Sequence, residues 1–176
     1  MLTYDQARAA AAQFIDETTT DWLFVEDASL EKPYGWCFFY QSRAYVETGD
    51  EAQALTGVSP LLVEVETGRV IVLGASRPVE GSLAAYEAGF YRRYDLTITA
   101  VHSLPEAVGL LQKLRLTYID PRSGSQRAMH TPKTLEAALA ELPCTFRAQN
   151  FQYTYEWFAQ IDLSGCCAYQ LTPCGD

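Results

Sequence analysis

Histidine is scarce in this chain, two residues in 176, and basic side chains are few, 13 against 22 acidic ones, for a net charge of -9. The first scarcity leaves His102 and His130 as the only imidazoles for a metal site or a general base. The second argues against nonspecific nucleic-acid binding, which uses lysine and arginine to displace counterions. There is also no basic amphipathic segment for an anionic membrane. Glycine-rich phosphate loops of the G-x-G-x-x-G or G-x4-G-K-S/T form are missing, which removes the commonest nucleotide sites. No apolar run approaches the ~20 residues of a membrane span, and the start Met1-Leu2-Thr3-Tyr4-Asp5 lacks the basic region of a secretory signal. The five cysteines, Cys37, Cys144, Cys166, Cys167 and Cys174, lack the paired two-residue spacing of a structural zinc site. Without an export signal they are expected as reduced thiols in a cytoplasmic protein. No cofactor and no metal is expected.

What is present is an ordinary globular composition, 48% hydrophobic and 20% charged. The acidic excess is uneven. Residues 1–95 carry 15 acidic and 7 basic side chains, residues 96–176 only 7 and 6, so the first half is the one that would steer a basic partner. Solubility alone accounts for such charge equally well.

Along the chain, Thr3 and Gln6 form a capping box for a helix over 3–17, with Ala7, Ala10, Ala11, Phe14 and Ile15 on one face. Residues 22–25 read as a strand. Residues 36–40 are apolar on both faces and predict a strand covered on both sides, running on through 41–44 into a polar loop with turn residues Thr48, Gly49 and Asp50. Residues 60–74 read as a hairpin turning at Gly68, and Pro78 opens a second helix. The order predicts an α+β fold, an antiparallel sheet with helices packed on one face, followed by a second, smaller α+β unit; the boundary is expected between 1–92 and 93–176. In the second unit the pattern predicts a strand over 96–101 and a helix capped by Ser103 with Glu106. A hairpin should follow, turning at 120–124, then a helix opened by Thr131-Pro132 and a closing strand over 161–169. Residues 151–158 fit either a strand or an aromatic helix.

The blocks Trp36-x-Phe38-Phe39-Tyr40, Glu47-Thr48-Gly49-Asp50, Pro60-Leu61-Leu62-Val63, Thr67-Gly68, Leu73-Gly74 and Pro78 followed by Tyr86-Glu87 resemble, in that order, the immunity protein 35 family, also named for YrhB. The resemblance covers roughly residues 2–90. It implies a small bacterial domain of the kind placed beside polymorphic toxins, a protein that protects the producing cell by binding and neutralising a cognate toxin without catalysis. The family brings no catalytic set to carry over.

The residues best suited to such a partner are the acidic loop Glu47, Asp50 and Glu51, the pair Glu64 and Glu66, whose spacing puts both on one hairpin face, and Tyr45 among polar neighbours. Solvated loops and strand faces explain the same carboxylates without any partner. Two other functions fit: a chaperone-like protein-binding module, and a small cysteine hydrolase pairing Cys37, Cys144 or Cys166 with His102 or His130 and Asp120 or Asp162 as orienter. Burial of a small hydrophobe is the simpler role for Cys37, between Trp36 and Phe38.

Overall fold

In the computed structural model, which describes residues 1–25, 28–120 and 126–175, the chain divides into two compact units, Met1–Leu83 and Ala84–Asp176. The division falls ahead of the boundary expected at 92/93 and makes the C-terminal unit the longer one.

Helix α1 (Tyr4–Thr18) begins where its cap predicts: Thr3 Oγ1 accepts from the Gln6 amide and Gln6 Oε1 accepts from the Thr3 amide. Its buried stripe is Ala7, Ala11 and Ile15, four residues apart each time. Two alanines in that stripe let the helix approach the sheet closely, and β-branched threonines at 18–20 end it. Four short strands follow, β1 (Trp22–Phe24), β2 (Leu30–Lys32), β3 (Gly35–Phe38) and β4 (Tyr40–Ser42), then helix α2 (Arg43–Thr48), β5 (Leu61–Glu64), β6 (Val70–Val72) and helix α3 (Val79–Glu87).

The main sheet runs β2-β3-β5-β6, every pair antiparallel. Register places Trp36 opposite Val63 and Phe38 opposite Leu61 on one face, and Cys37 opposite Leu62 on the other. Ala7, Ala11 and Ile15 of α1 pack on the first face with Phe38, Leu61 and Val63. Cys37 and Leu62 are fully buried too, so the strand is covered on both sides as its double apolar pattern predicts. The expected single strand through 44 is instead broken at Phe39. There the backbone turns away from β5, the Phe39 carbonyl accepts from Val25 at 3.0 Å, and β4 pairs with β1 in a separate two-stranded sheet. Trp22 stacks on Tyr40 with centroids 4.8 Å apart, across that second pairing.

The C-terminal unit is built on β7 (Arg93–Val101), flanked antiparallel by β10 (Cys144–Asn150) and β11 (Cys167–Pro173). Helices α4 (Leu104–Lys113), α5 (Pro132–Leu139) and α6 (Trp157–Ser164) supply Leu111, Leu135 and Ile161 to a core shared with Leu96, Ile98 and Phe151. A hairpin of β8 (Thr117–Ile119) and β9 (Arg127–Met129) lies between α4 and α5 in the chain. Its expected turn at 120–124 lies, beyond Asp120, outside the described residues. Three expectations are corrected. Ser103 makes no side-chain cap, because the backbone amides of His102 and Ser103 both donate to the Cys166 carbonyl, at 2.8 and 3.1 Å, and fix the chain there. Residues 151–156 are mostly turn, leading into α6. The closing strand begins at Cys167 and not at 161, because α6 runs to Ser164 and ends on Gly165 in the left-handed conformation, φ 62°.

Candidate partner-binding face

The six residues marked by the sequence fall in two places. Tyr45, Glu47, Asp50 and Glu51 belong to one short assembly after β4, where a helix replaces the expected loop. Ser42 makes it: its hydroxyl accepts from the Tyr45 amide at 3.1 Å as the N-cap of α2, and donates to the Gln53 carbonyl at 2.5 Å. Gly49, left-handed at φ 71°, ends the helix. Asp50 then caps a single 3-10 turn, Glu51–Gln53, by accepting from the Ala52 amide at 3.0 Å. Gln41 closes the assembly from below. Its amide nitrogen donates to the Leu55 carbonyl at 3.0 Å, and its oxygen accepts from the Leu55 amide at 2.7 Å. The segment is therefore a small structure held by its own hydrogen bonds, displaying Glu47, Asp50 and Glu51 in solvent beside a half-buried Tyr45. Val46, 42% exposed, puts an apolar side chain among these carboxylates. Glu47 lies 3.6 Å from Arg43 one helical turn earlier, with both side chains about half exposed, a pair that water screens and that contributes little to stability.

Glu64 and Glu66 sit elsewhere and differ from each other. Glu64 is the last residue of β5, and its carboxylate accepts from Arg69 Nη2 at 2.8 Å and from the Thr67 hydroxyl. Its side chain is only 13% exposed, so it clips its own turn. Glu66 lies past the strand end, exposed in that turn. The even spacing predicts a shared face, but the strand stops at Glu64 because Gly68, left-handed at φ 72°, folds the chain back. The Gly68 amide returns to the Glu64 carbonyl at 2.9 Å. Register separates the two acidic groups further. Phe38, which leads to β4 and α2, pairs with Leu61, whereas Gly35 pairs with Glu64 at the other end of the same ladder.

Of the candidate thiols, Cys37 and Cys144 are poorly set for nucleophilic work. Burial pushes Cys37 up from 9.0 to about 12, with the Lys32 charge opposing it, and raises Cys144 as well. His130 is pushed down by the same cause. Cys144 and His130 do line one cavity, yet burial favours the neutral form of each, the reverse of a thiolate–imidazolium pair. Cys167 is also raised to about 12, by burial first and by the neighbouring Cys166 next. Among the described residues no group of three or more His, Cys, Asp or Glu is placed to hold a metal ion. No described helix is long and apolar enough to cross a membrane.

The Cys37 shift has a measurable consequence. A thiol protonated more tightly in the folded state contributes stability that is complete below its unfolded value near 9 and is lost as pH rises toward 12. Denaturation midpoints followed from pH 8 to 11 should therefore fall more steeply for the natural chain than for Cys37→Ala, with about 3 kcal/mol lost by pH 11, at about 1.4 kcal/mol for each pH unit above 9. Parallel slopes would mean that Cys37 ionises freely.

Comparison with known proteins covers the N-terminal half of the chain. Residues 5–89 match the family model described as immunity protein 35. A protein of Escherichia coli (strain K12) described as uncharacterized protein YrhB is 32% identical over 87 residues, a stretch that covers 49% of this chain and 90% of the relative. No solved structure matches. Through the segment that carries α1 to α3, the chain belongs to the immunity protein 35 family.

Proposed function

We propose that this protein is an immunity protein, a cytoplasmic inhibitor that binds a cognate bacterial toxin and neutralises it by occlusion, without catalysis. The observation that carries the reading is the coincidence of two boundaries. The segment matching the family, residues 5–89, is also the part that holds the acidic excess, with 14 acidic and 5 basic side chains. Glu47, Asp50 and Glu51 offer carboxylates to arginines and lysines of the toxin, with Tyr45 and Val46 as the apolar contact between them. Glu66 adds a lone charge at the far end of the ladder, and Glu64 contributes by holding that turn. Such a face needs no perturbed ionisation. It acts by charge complementarity that speeds encounter and by surface that excludes the toxin's own substrate.

Co-expression tests the reading. Cells expressing the toxin-like product of an adjacent gene should grow when this chain is present, and the two proteins should co-purify as a complex. Failure of both, with suppression of aggregation for several unrelated proteins, would replace the immunity reading by a chaperone-like one.

A further inference from the structure

The C-terminal unit, outside the segment that matches the family, holds a cavity of about 460 Å3 walled by β8, β9, α5 and β10. β10 slips register against β7 between Phe146 and Gln149, and Ala148 in that slip is left-handed at φ 51°, a strained conformation for a residue with a Cβ. Past the slip, β10 meets β8 through a side chain. Gln149, 2% exposed, accepts from the Thr117 amide at 2.7 Å and donates to the Thr117 carbonyl at 2.8 Å. A glutamine amide set between two strands holds them farther apart than the ~4.8 Å of a backbone ladder, and residues of both strands, Thr117 to Ile119 and Cys144 to Ala148, line the cavity.

The lining suits one class of ligand. Phe146, Ile119, Ala138 and the Tyr118 ring make it mostly apolar, while its charged members are Arg127 and Arg147, with no carboxylate among the described lining residues. In a chain of net charge -9 that is a local reversal of sign. Arg127 spends one nitrogen, Nη1, on both the Thr117 hydroxyl and the Ala148 carbonyl, each at 3.0 Å. This fixes the guanidinium, and among the described residues its Nε and Nη2 donors have no partner. Arg147 is 82% exposed, with Asp95 3.6 Å away. His130 is held between Tyr118 and Phe146, with ring centroids at 4.7 and 5.1 Å, and its Nδ1 meets the Thr134 hydroxyl at 3.2 Å. A cavity of this volume, mostly apolar with a few convergent polar groups, has the make-up of a small-molecule site.

We propose that the cavity binds a small amphipathic carboxylate, its head group paired with Arg127 and its aromatic or branched aliphatic body lying against Tyr118, Phe146 and Ile119. Planar guanidinium donors match a carboxylate in pairs, and no described lining residue carries a carboxylate to repel one. The inference does not rest on the immunity reading.

Titration of the full chain with 4-phenylbutyrate and with 4-phenylbutanol, followed by NMR, tests it, because the two probes share a body and differ in head group. The carboxylate should bind about tenfold more tightly or better, with nuclear Overhauser contacts from its ring to Phe146 and Tyr118. Arg127→Met should bring the two probes to equal affinity. Ala138→Phe, which puts a ring into the cavity and leaves Arg127 in the sequence, should abolish binding of both while circular dichroism stays unchanged. Absence of binding at millimolar concentration, equal affinity of the two probes for the natural chain, or contacts to residues outside the cavity would each overturn the proposal. The contacts are read on the natural chain, so the test stands even where Arg127→Met does not fold.

Discussion

Replacing Gly35 by alanine should cost the N-terminal unit about 3 kcal/mol, the upper range for forcing extra atoms into a packed interior. Gly35 is buried in β3 between two partners, opposite Lys32 of β2 and Glu64 of β5. A Cβ there would lie 2.1 Å from the Val63 carbonyl oxygen and 3.0 Å from its carbon. Both obstacles are backbone atoms of a strand whose side chains are buried, so no rotamer change relieves the clash. The β3–β5 ladder has to open at that rung. Opening it disturbs the start of the strand that carries Cys37 and Phe38 and, beyond them, β4 and α2. Urea denaturation should show the loss as a lower midpoint. Gly109→Ala is the matched control: it stands in α4 with nothing within 4 Å of the added atom, and alanine is the better helix former by about 1 kcal/mol. A Gly35→Ala midpoint equal to the natural one would mean that β3 and β5 are not paired as described.

Reversing charge at Glu47, Asp50 and Glu51 together, each to lysine, should weaken toxin neutralisation about tenfold or more, which corresponds to about 1.4 kcal/mol. Most of the loss should appear in the association rate, because exposed charges at an interface rim steer encounter more than they hold the complex. The dependence of that rate on salt should flatten in the variant for the same reason. Asp50 also caps the 3-10 turn through the Ala52 amide, so its lysine replacement mixes a lost charge with a lost cap. Asp50→Asn separates the two, since asparagine caps as well as aspartate. Protection unchanged by the triple substitution, in a folded protein, would remove this segment from the mechanism.

The sequence was most legible where structure is set by near neighbours. Thr3 and Gln6 cap α1 through atoms three residues apart, and the α1 stripe follows from 3.6-residue periodicity. The hairpin around Gly68 is equally local. The pattern failed where burial is two-sided. Trp36, Cys37, Phe38, Phe39 and Tyr40 all read as apolar whether the strand is continuous or broken, so the change of partner at Phe39 left no mark in the alternation. Helix α2 is too short to show a period, and its cap, Ser42, is followed three residues later by Tyr45 and not by the glutamate or glutamine of a capping box. Leu30–Lys32 and Cys144–Asn150 went unread as strands. In the latter, Phe146 alternates with exposed neighbours only until the left-handed Ala148 interrupts the period. The end of α6 did carry a signal, Gly165 after Ser164, with Phe158 and Ile161 buried three apart. Of the candidate site, the acidic residues were visible as a cluster in sequence. What was not visible is that Glu64 is consumed by Arg69 and Thr67, and that Glu66 leaves the ladder at the end opposite α2, because both facts depend on strand register.

Occlusion without catalysis is most directly tested by the stoichiometry of inhibition. Purified toxin titrated with this chain should lose activity linearly and completely at one equivalent, and should regain it in full, with unchanged mass, once the complex is separated. Complete loss of activity at a small fraction of one equivalent, or a toxin recovered inactive and chemically altered, would show that the protein acts by turnover and would contradict the account.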